Sequence, residues 1–195
     1  MGGGAGTFGA SPSGAKAVSR QIIARPSAHR TRETIGARVA TIVIDANIGL
    51  AFVLHLDYSS SAQEHLLNWR ARGDQIVVPE LWWYEIVSGL RKAVAIKQVQ
   101  VASAAASLDD LAALEFKTIP SADFYHRHAL VWAERLRQTV AYDAQYLALA
   151  EHLNAEFWTA DKKLAERTRA AQVTFVHFLK PKFDEKQNPS HGGSA

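Results

Sequence analysis

Cysteine is absent from this chain of 195 residues, which excludes a disulfide framework and any metal site built on thiolates. A reducing, cytoplasmic setting is compatible with that composition. Long uninterrupted apolar runs are missing too. The most apolar window, Val39 to Leu56, carries Asp45 and Asn47, whose cost at mid-membrane argues against a span there. Nor is there a large excess of charge. The formal net charge is +3, and Lys16, Arg20, Arg25, Arg30, Arg32 and Arg38 against Glu33 make residues 1–40 +5, leaving −2 for the remainder. A folded body of that sign does not clamp nucleic acid through bulk positive charge, so any such contact is expected to be local and metal-assisted. No internal repeat is apparent.

What is present suits one compact domain. A hydrophobic fraction of 48%, with five Trp and eight Phe, supplies a core, and a chain of this length buries roughly 70% of its unfolded surface. Residues 1–40 are rich in Gly, Ser, Ala and Arg, with Pro12 and Pro26 and no sustained apolar period. They are expected to be a disordered basic extension, with an organellar transit peptide as the alternative. Residues 180–195, with Pro181, Pro189 and a Gly-Gly-Ser run, are expected to be a second disordered tail. The folded domain is therefore 41–179.

Inside that domain two periodicities alternate. Short apolar runs at Thr41 to Ile44, Gln75 to Val78, Lys117 to Ile119, Glu156 to Thr159 and Val173 to Val176 read as strands. Helical spacing covers Ser60 to Arg70, Pro79 to Ala95, Val99 to Leu114, Ala122 to Leu136, Ala141 to His152 and Lys162 to Ala170. Pro79 is expected in the first turn of its helix, whose core stripe would be Trp83, Ile86, Val87, Leu90 and Val94, with Glu85 projecting away. Continuously apolar strands interleaved with helices predict a three-layer α/β/α sandwich around a mostly parallel sheet. In such sheets ligands bind beyond the carboxyl ends of the strands.

Four acids are placed for that edge. Asp45 and Asp161 follow strand ends, while Glu85 and Asp143 stand in the early turns of helices. At the helix-neighbour offsets Glu85 has Leu81, Trp82, Ser88 and Gly89; Asp143 has Thr139, Val140, Tyr146 and Leu147; Asp161 has Leu164 and Ala165 ahead of it. None is a cation. Two carboxylates 4 Å apart repel by roughly 4 kcal/mol at an effective dielectric of 20, so four converging acids call for a cation. An all-oxygen set without His or Cys favours Mg²⁺ or Mn²⁺ over zinc. Such a site suits phosphodiester hydrolysis by activated water.

These residues resemble the PIN-domain ribonucleases, and within them the VapC toxins of bacterial toxin–antitoxin pairs. The resemblance covers about Ala40 to Leu179. It is carried by Val43-Ile-Asp45-Ala-Asn47, by Pro79-Glu-Leu-Trp-Trp-Tyr-Glu85, by Tyr142-Asp143-Ala-Gln-Tyr146-Leu-Ala-Leu-Ala150 and by Thr159-Ala-Asp161-Lys-Lys-Leu164. It implies Asp45, Glu85, Asp143 and Asp161 as the catalytic, metal-holding quartet, with Asn47 and Thr159 as polar helpers. It implies a Mg²⁺-dependent endoribonuclease acting on RNA, often a homodimer, silenced by an antitoxin. The long N-terminal extension departs from the compact family pattern.

Plainer roles stand beside these. Asp45 and Asp161 also suit helix caps, Glu85 a solvated helix face, and Asp143 a partner for the helix dipole. Lys162 and Lys163 either steer phosphate or are merely solvated. Trp82, Trp83, Trp132 and Trp158 read as core or dimer-contact residues, and His126 with His128 makes a poor chelate. Two rival functions remain. In an aspartyl-phosphate phosphatase Asp45 would be the nucleophile, but Asn47 stands where a second acid is expected. A catalytically silent PIN-like module would bind RNA or protein without cutting.

Overall fold

The computed structural model describes residues 39–181. Apart from two residues at each inner end, the expected N-terminal extension and C-terminal tail lie outside them. Five strands form one sheet: β1 (Thr41–Ile44), β2 (Gln75–Pro79), β3 (Lys117–Ile119), β4 (Glu156–Thr159) and β5 (Val176–Phe178). Seven helices are interleaved among the described residues: α1 (Ala46–Ala51), α2 (Ser59–Arg72), α3 (Leu81–Ala95), α4 (Val101–Ala112), α5 (Asp123–Arg135), α6 (Tyr142–His152) and α7 (Lys162–Ala170). None is long and apolar enough to cross a membrane.

The strand order is β3-β2-β1-β4-β5 and every pairing is parallel, with Val43 opposite Val77 on one side and Phe157 on the other. Parallel neighbours need crossovers, which the helices supply. Consecutive residues Ile42, Val43 and Ile44 are each fully buried. Side chains alternate between the faces of a strand, so burial of neighbours in sequence means that helices cover both faces. The expected three-layer α/β/α sandwich is what forms. The chain builds outward from β1 to β3, then returns to the far side of β1 to add β4 and β5. The direction of winding reverses between β1 and β4, the switch point where the loops part and leave a crevice.

Local chemistry fixes most boundaries. Gly73 closes α2 in the left-handed region at φ 77°, a conformation that costs a glycine little. Asp45 and Asp161 cap α1 and α7 through their side chains. Several expectations are displaced. Helix α1, hidden in the apolar window after β1, was not anticipated; six residues are too few to display a helical period. Pro79 ends β2, paired with Ile119, instead of opening α3. The last strand begins at Val176, not Val173, because the Val173 N–H is taken by the Thr168 carbonyl in closing α7.

The buried stripe of α3 is Trp82, Ile86, Leu90 and Ala93, with Val87 51% exposed. The helix is thus rotated from the expected phase. Its anchor is the Trp82 indole, which is fully buried and donates from Nε1 to the Asp45 carbonyl at 3.1 Å. The rotation turns Glu85 toward the switch point as a half-buried residue rather than away from the core.

Close approach of α1 to α3 depends on Gly49. A Cβ there would lie 2.3 Å from Trp82 Cζ2 and 2.9 Å from Ile86 Cδ1, both in fully buried side chains. At Gly89, on α3, an added Cβ would instead meet the end of the half-buried Leu50 side chain, which can move aside. Gly49→Ala is therefore expected to lower stability by up to about 2 kcal/mol, since overpacking of about 1–3 kcal/mol outweighs a helix-propensity gain of about 1 kcal/mol. Gly89→Ala is expected to be neutral or stabilising by up to about 1 kcal/mol. Denaturant melts of the two variants check the contrast.

Candidate active site

Asp45 leaves the end of the central strand with its backbone held from two directions. Its N–H donates to the Trp158 carbonyl at 3.1 Å, and its own carbonyl accepts from Trp82. The side chain, in a residue only 6% exposed, accepts from the Ile48 N–H on Oδ1 at 2.9 Å and from the Thr159 hydroxyl on Oδ2 at 2.5 Å. Burial pushes its carboxyl from the ordinary 3.8 up to about 6, against the opposing pull of hydrogen bonds from Thr159, Ile48, Ala160 and Asn47. The expected helix-cap role and the expected site position thus coincide in one side chain.

Thr159 joins this acid to the next. While its hydroxyl donates to Asp45, the same oxygen accepts from the Asp161 N–H at 2.9 Å. Asp161 caps α7 with Oδ1, accepting from Lys163 N–H at 2.7 Å and Leu164 N–H at 3.1 Å. Glu85 comes in from α3 and accepts through Oε2 from the Tyr146 hydroxyl. Asp143, in the first turn of α6, accepts through Oδ2 from the Gln138 amide at 2.9 Å.

Electrostatics ties the four together. Burial raises the carboxyls of both Glu85 and Asp143. The charge of Asp143 raises Glu85 further, and the charge of Asp161 raises Asp143 further. The Tyr146 phenol, buried, is driven well above 10 by burial and by the charges of Glu85 and Asp45. Asp161 at the end of β4, Asp143 on α6 and Glu85 on α3 are thus linked in series, and Asp45 at the end of β1 meets Glu85 through the Tyr146 phenol that both charges raise. A cation opposes the rise at Asp143, which Arg167 of α7 lowers. It lies beyond the helix-neighbour offsets, so the local count was correct while a long-range partner escaped it.

The donor set fits a hard divalent cation in charge and in chemistry. Every candidate ligand is a carboxylate oxygen, and the raising of Glu85 by Asp143 and of Asp143 by Asp161 marks negative charge that a cation would relieve. Gln138 Oε1 is a further buried oxygen with no hydrogen-bond partner among the described residues. In their present rotamers, however, no three His, Asp or Glu side chains among the described residues converge as a finished chelate. The fit is one of donor type and charge, with several carboxylate oxygens engaged by protein donors.

Against the PIN domain family, residues 42–170 match the family model. The chain is a PIN-domain protein. Two curated relatives are 31% identical to it over 129 residues, covering 66% of this chain and 92% of theirs: VapC ribonuclease Mb0985 of Mycobacterium bovis and ribonuclease VapC9 of Mycobacterium tuberculosis. Within the PIN family the chain is VapC-like. Two solved structures share the fold with a TM-score of 0.52 each, over 72% of this chain and 99% of theirs. One is a toxin-antitoxin complex from Klebsiella pneumoniae at 17% identity; the other is VapBC2 from Rickettsia felis bound to a promoter DNA fragment at 12%.

Three contributors to this PIN-domain site were not singled out from the sequence. Tyr146 is three residues after Asp143, the spacing of one helix face, and that offset was available as a signal. Gln138 and Arg167 lie outside the acidic motifs and carry no local cue. Asn47 is exposed but contributes to Asp45 through its side chain, as expected for a polar helper.

The buried Asp45 gives a stability signature. With a folded value near 6 and an ordinary value of 3.8, the folded state holds this proton more tightly than the unfolded chain does. Its contribution is greatest below pH 4 and is lost as pH rises to 6, by about 3 kcal/mol at most. In EDTA, the stability difference between Asp45→Asn and the parent protein is expected to grow in favour of the variant between pH 4 and 6 and level off above. Asn caps a helix as well as Asp does. Urea melts across that range check it; a difference independent of pH contradicts it.

Proposed function

We propose that this PIN domain is a cytoplasmic, Mg²⁺-dependent endoribonuclease, with Mn²⁺ as the alternative ion, and that it is the toxin of a VapBC-type pair restrained by an antitoxin. The observation that carries this reading is the placement of half-buried acids from separate elements close together, where burial raises Glu85 and Asp143 and the charges of Asp143 and Asp161 respectively raise them further. The relatives named as ribonucleases supply the reaction class, and the toxin–antitoxin structures sharing the fold support an antitoxin partner. A homodimer is part of the same proposal.

In this reading Asp45 and Asp143 are the principal ion-holding groups. Glu85 completes the set, directly or through water, and helps orient the nucleophile. Asp161 supports a second ion or positions the attacking water. When bound, the ion supplies Lewis acidity toward the phosphate and toward water. The protein's own part is placement. Thr159 fixes Asp45, the phenol of Tyr146 holds Glu85, and Gln138 holds Asp143. The attacking oxygen bonds to phosphorus as the P–O bond to the leaving ribose oxygen breaks.

Full-length protein incubated with a structured RNA is expected to shorten it in Mg²⁺ and leave it intact in EDTA. Asp45→Asn is expected to reduce cleavage by at least about a hundredfold, roughly 3 kcal/mol of activation free energy. An RNA that is shifted on a gel but never shortened would instead identify the silent binding module, and phosphate released from a small phosphomonoester would identify the phosphatase.

A further inference from the structure

Next to the acids lies a groove of about 210 Å³, beyond the carboxyl ends of β2 and β3. Its floor is apolar, with Ile119, Pro120 and Leu149. Its walls carry Tyr84, Tyr125, Tyr142, His126 and Gln145. Tyr84 and Tyr142 are 69% and 60% exposed, unusual positions for large aromatic rings in a protein that buries Tyr146 almost completely.

The groove and the acids share two helices. On α3, Leu81 and Tyr84 line the groove while Glu85 faces the acids; on α6, Tyr142, Gln145 and Leu149 line it while Asp143 and Tyr146 face the acids. The spacings of three and seven residues within each groove set, and the single-residue step to each acid, are those of adjoining helix faces. The groove therefore adjoins the faces that carry Glu85 and Asp143.

Lining chemistry selects the occupant. No Lys or Arg lines the groove, and its one carboxylate, Glu80, accepts from the Ser121 N–H at 3.3 Å. A phosphate would find no countercharge there. A purely aliphatic group would leave the polar edges of the walls unused, where His126 Nδ1 and Gln145 Oε1 lie 3.2 Å apart and leave the Gln145 Nε2 group to donate. What satisfies both is an uncharged flat ring with a polar rim, and aromatic side chains beside a backbone-cutting site are the platform on which unpaired bases stack.

We propose that this groove seats an unpaired nucleobase of the RNA, one nucleotide away from the scissile phosphate, by stacking on Tyr84 and Tyr142. This rests on the nuclease reading for the identity of the strand. The groove makes cleavage dependent on a single-stranded, base-bearing neighbour, because a paired base cannot enter it.

The test uses full-length protein in EDTA at low ionic strength and a single-stranded oligoribonucleotide carrying 2-aminopurine at successive positions. Anisotropy reads affinity, and quenching reads stacking. The expected result is one quenched position, loss of at least about fivefold in affinity for Tyr84→Ala and for Tyr142→Ala with relief of the quench, and retention of both by Tyr142→Phe. An abasic residue at that position should cost the wild type a similar factor and cost Tyr142→Ala little more. Equal affinity for abasic and intact strands, or quenching unaffected by both alanine variants, overturns the proposal. So does a sedimentation result in which the alanine variants break a dimer while RNA binding is unchanged, since the groove is then a protein contact. Adding Mg²⁺ separates the two readings. Cleavage without any base dependence leaves the nuclease standing and removes the groove, whereas tyrosine-dependent quenching without shortening does the reverse.

Discussion

A buried carboxylate at the end of the central strand is the constraint around which the rest of this molecule is arranged. Asp45 is withdrawn from water where its charge is costly, and no cation among the described residues is bonded to it to repay that cost. Its stability comes from geometry. A capped helix, a threonine hydroxyl and the amide of Ala160 each supply a hydrogen bond, and two neighbouring elements pin its backbone. Removing any of these would leave a buried charge less satisfied. The packing of Trp82 against Gly49 therefore serves the site as much as the core, because the indole that fills the space is also a donor to the Asp45 carbonyl.

Positions that announce themselves in one dimension were legible in the sequence. Short runs of β-branched or aromatic residues gave β1, β3 and β4 their bounds, and an acid just past an apolar run marks a strand end whatever the fold. The phase of α3 was not legible. Trp82 and Trp83 are equally apolar, and partners distant in sequence separate them: the Asp45 carbonyl takes the Trp82 indole N–H and the Thr118 hydroxyl that of Trp83. For the same reason the side of the helix that carries Glu85 could not be assigned. Arg167 and Gln138 act on Asp143 across folded distance, and no local spacing records that.

The winding of the sheet also explains where two of the acids stand. Reversal of winding between β1 and β4 separates the loops that follow those strands, and Asp45 and Asp161 lie on either side of the gap. α3 and α6 close the crevice from above with one acid each, and their adjoining faces carry the tyrosines. The acids and the groove thus draw on the same two helices, so a shift of either would move both together.

Thr159 gives the pair of acids it connects a fixed polarity. A backbone N–H cannot turn round, so the threonine oxygen must receive the Asp161 amide, and its own hydrogen is left pointing at Asp45. The hydroxyl works as a one-way valve in the hydrogen-bond chain. Serine could complete the same circuit but would spin more freely about its side-chain bond, whereas the branched threonine holds its setting through rotamer stiffness. One methyl group thereby becomes part of the site's orientation without touching a reacting atom.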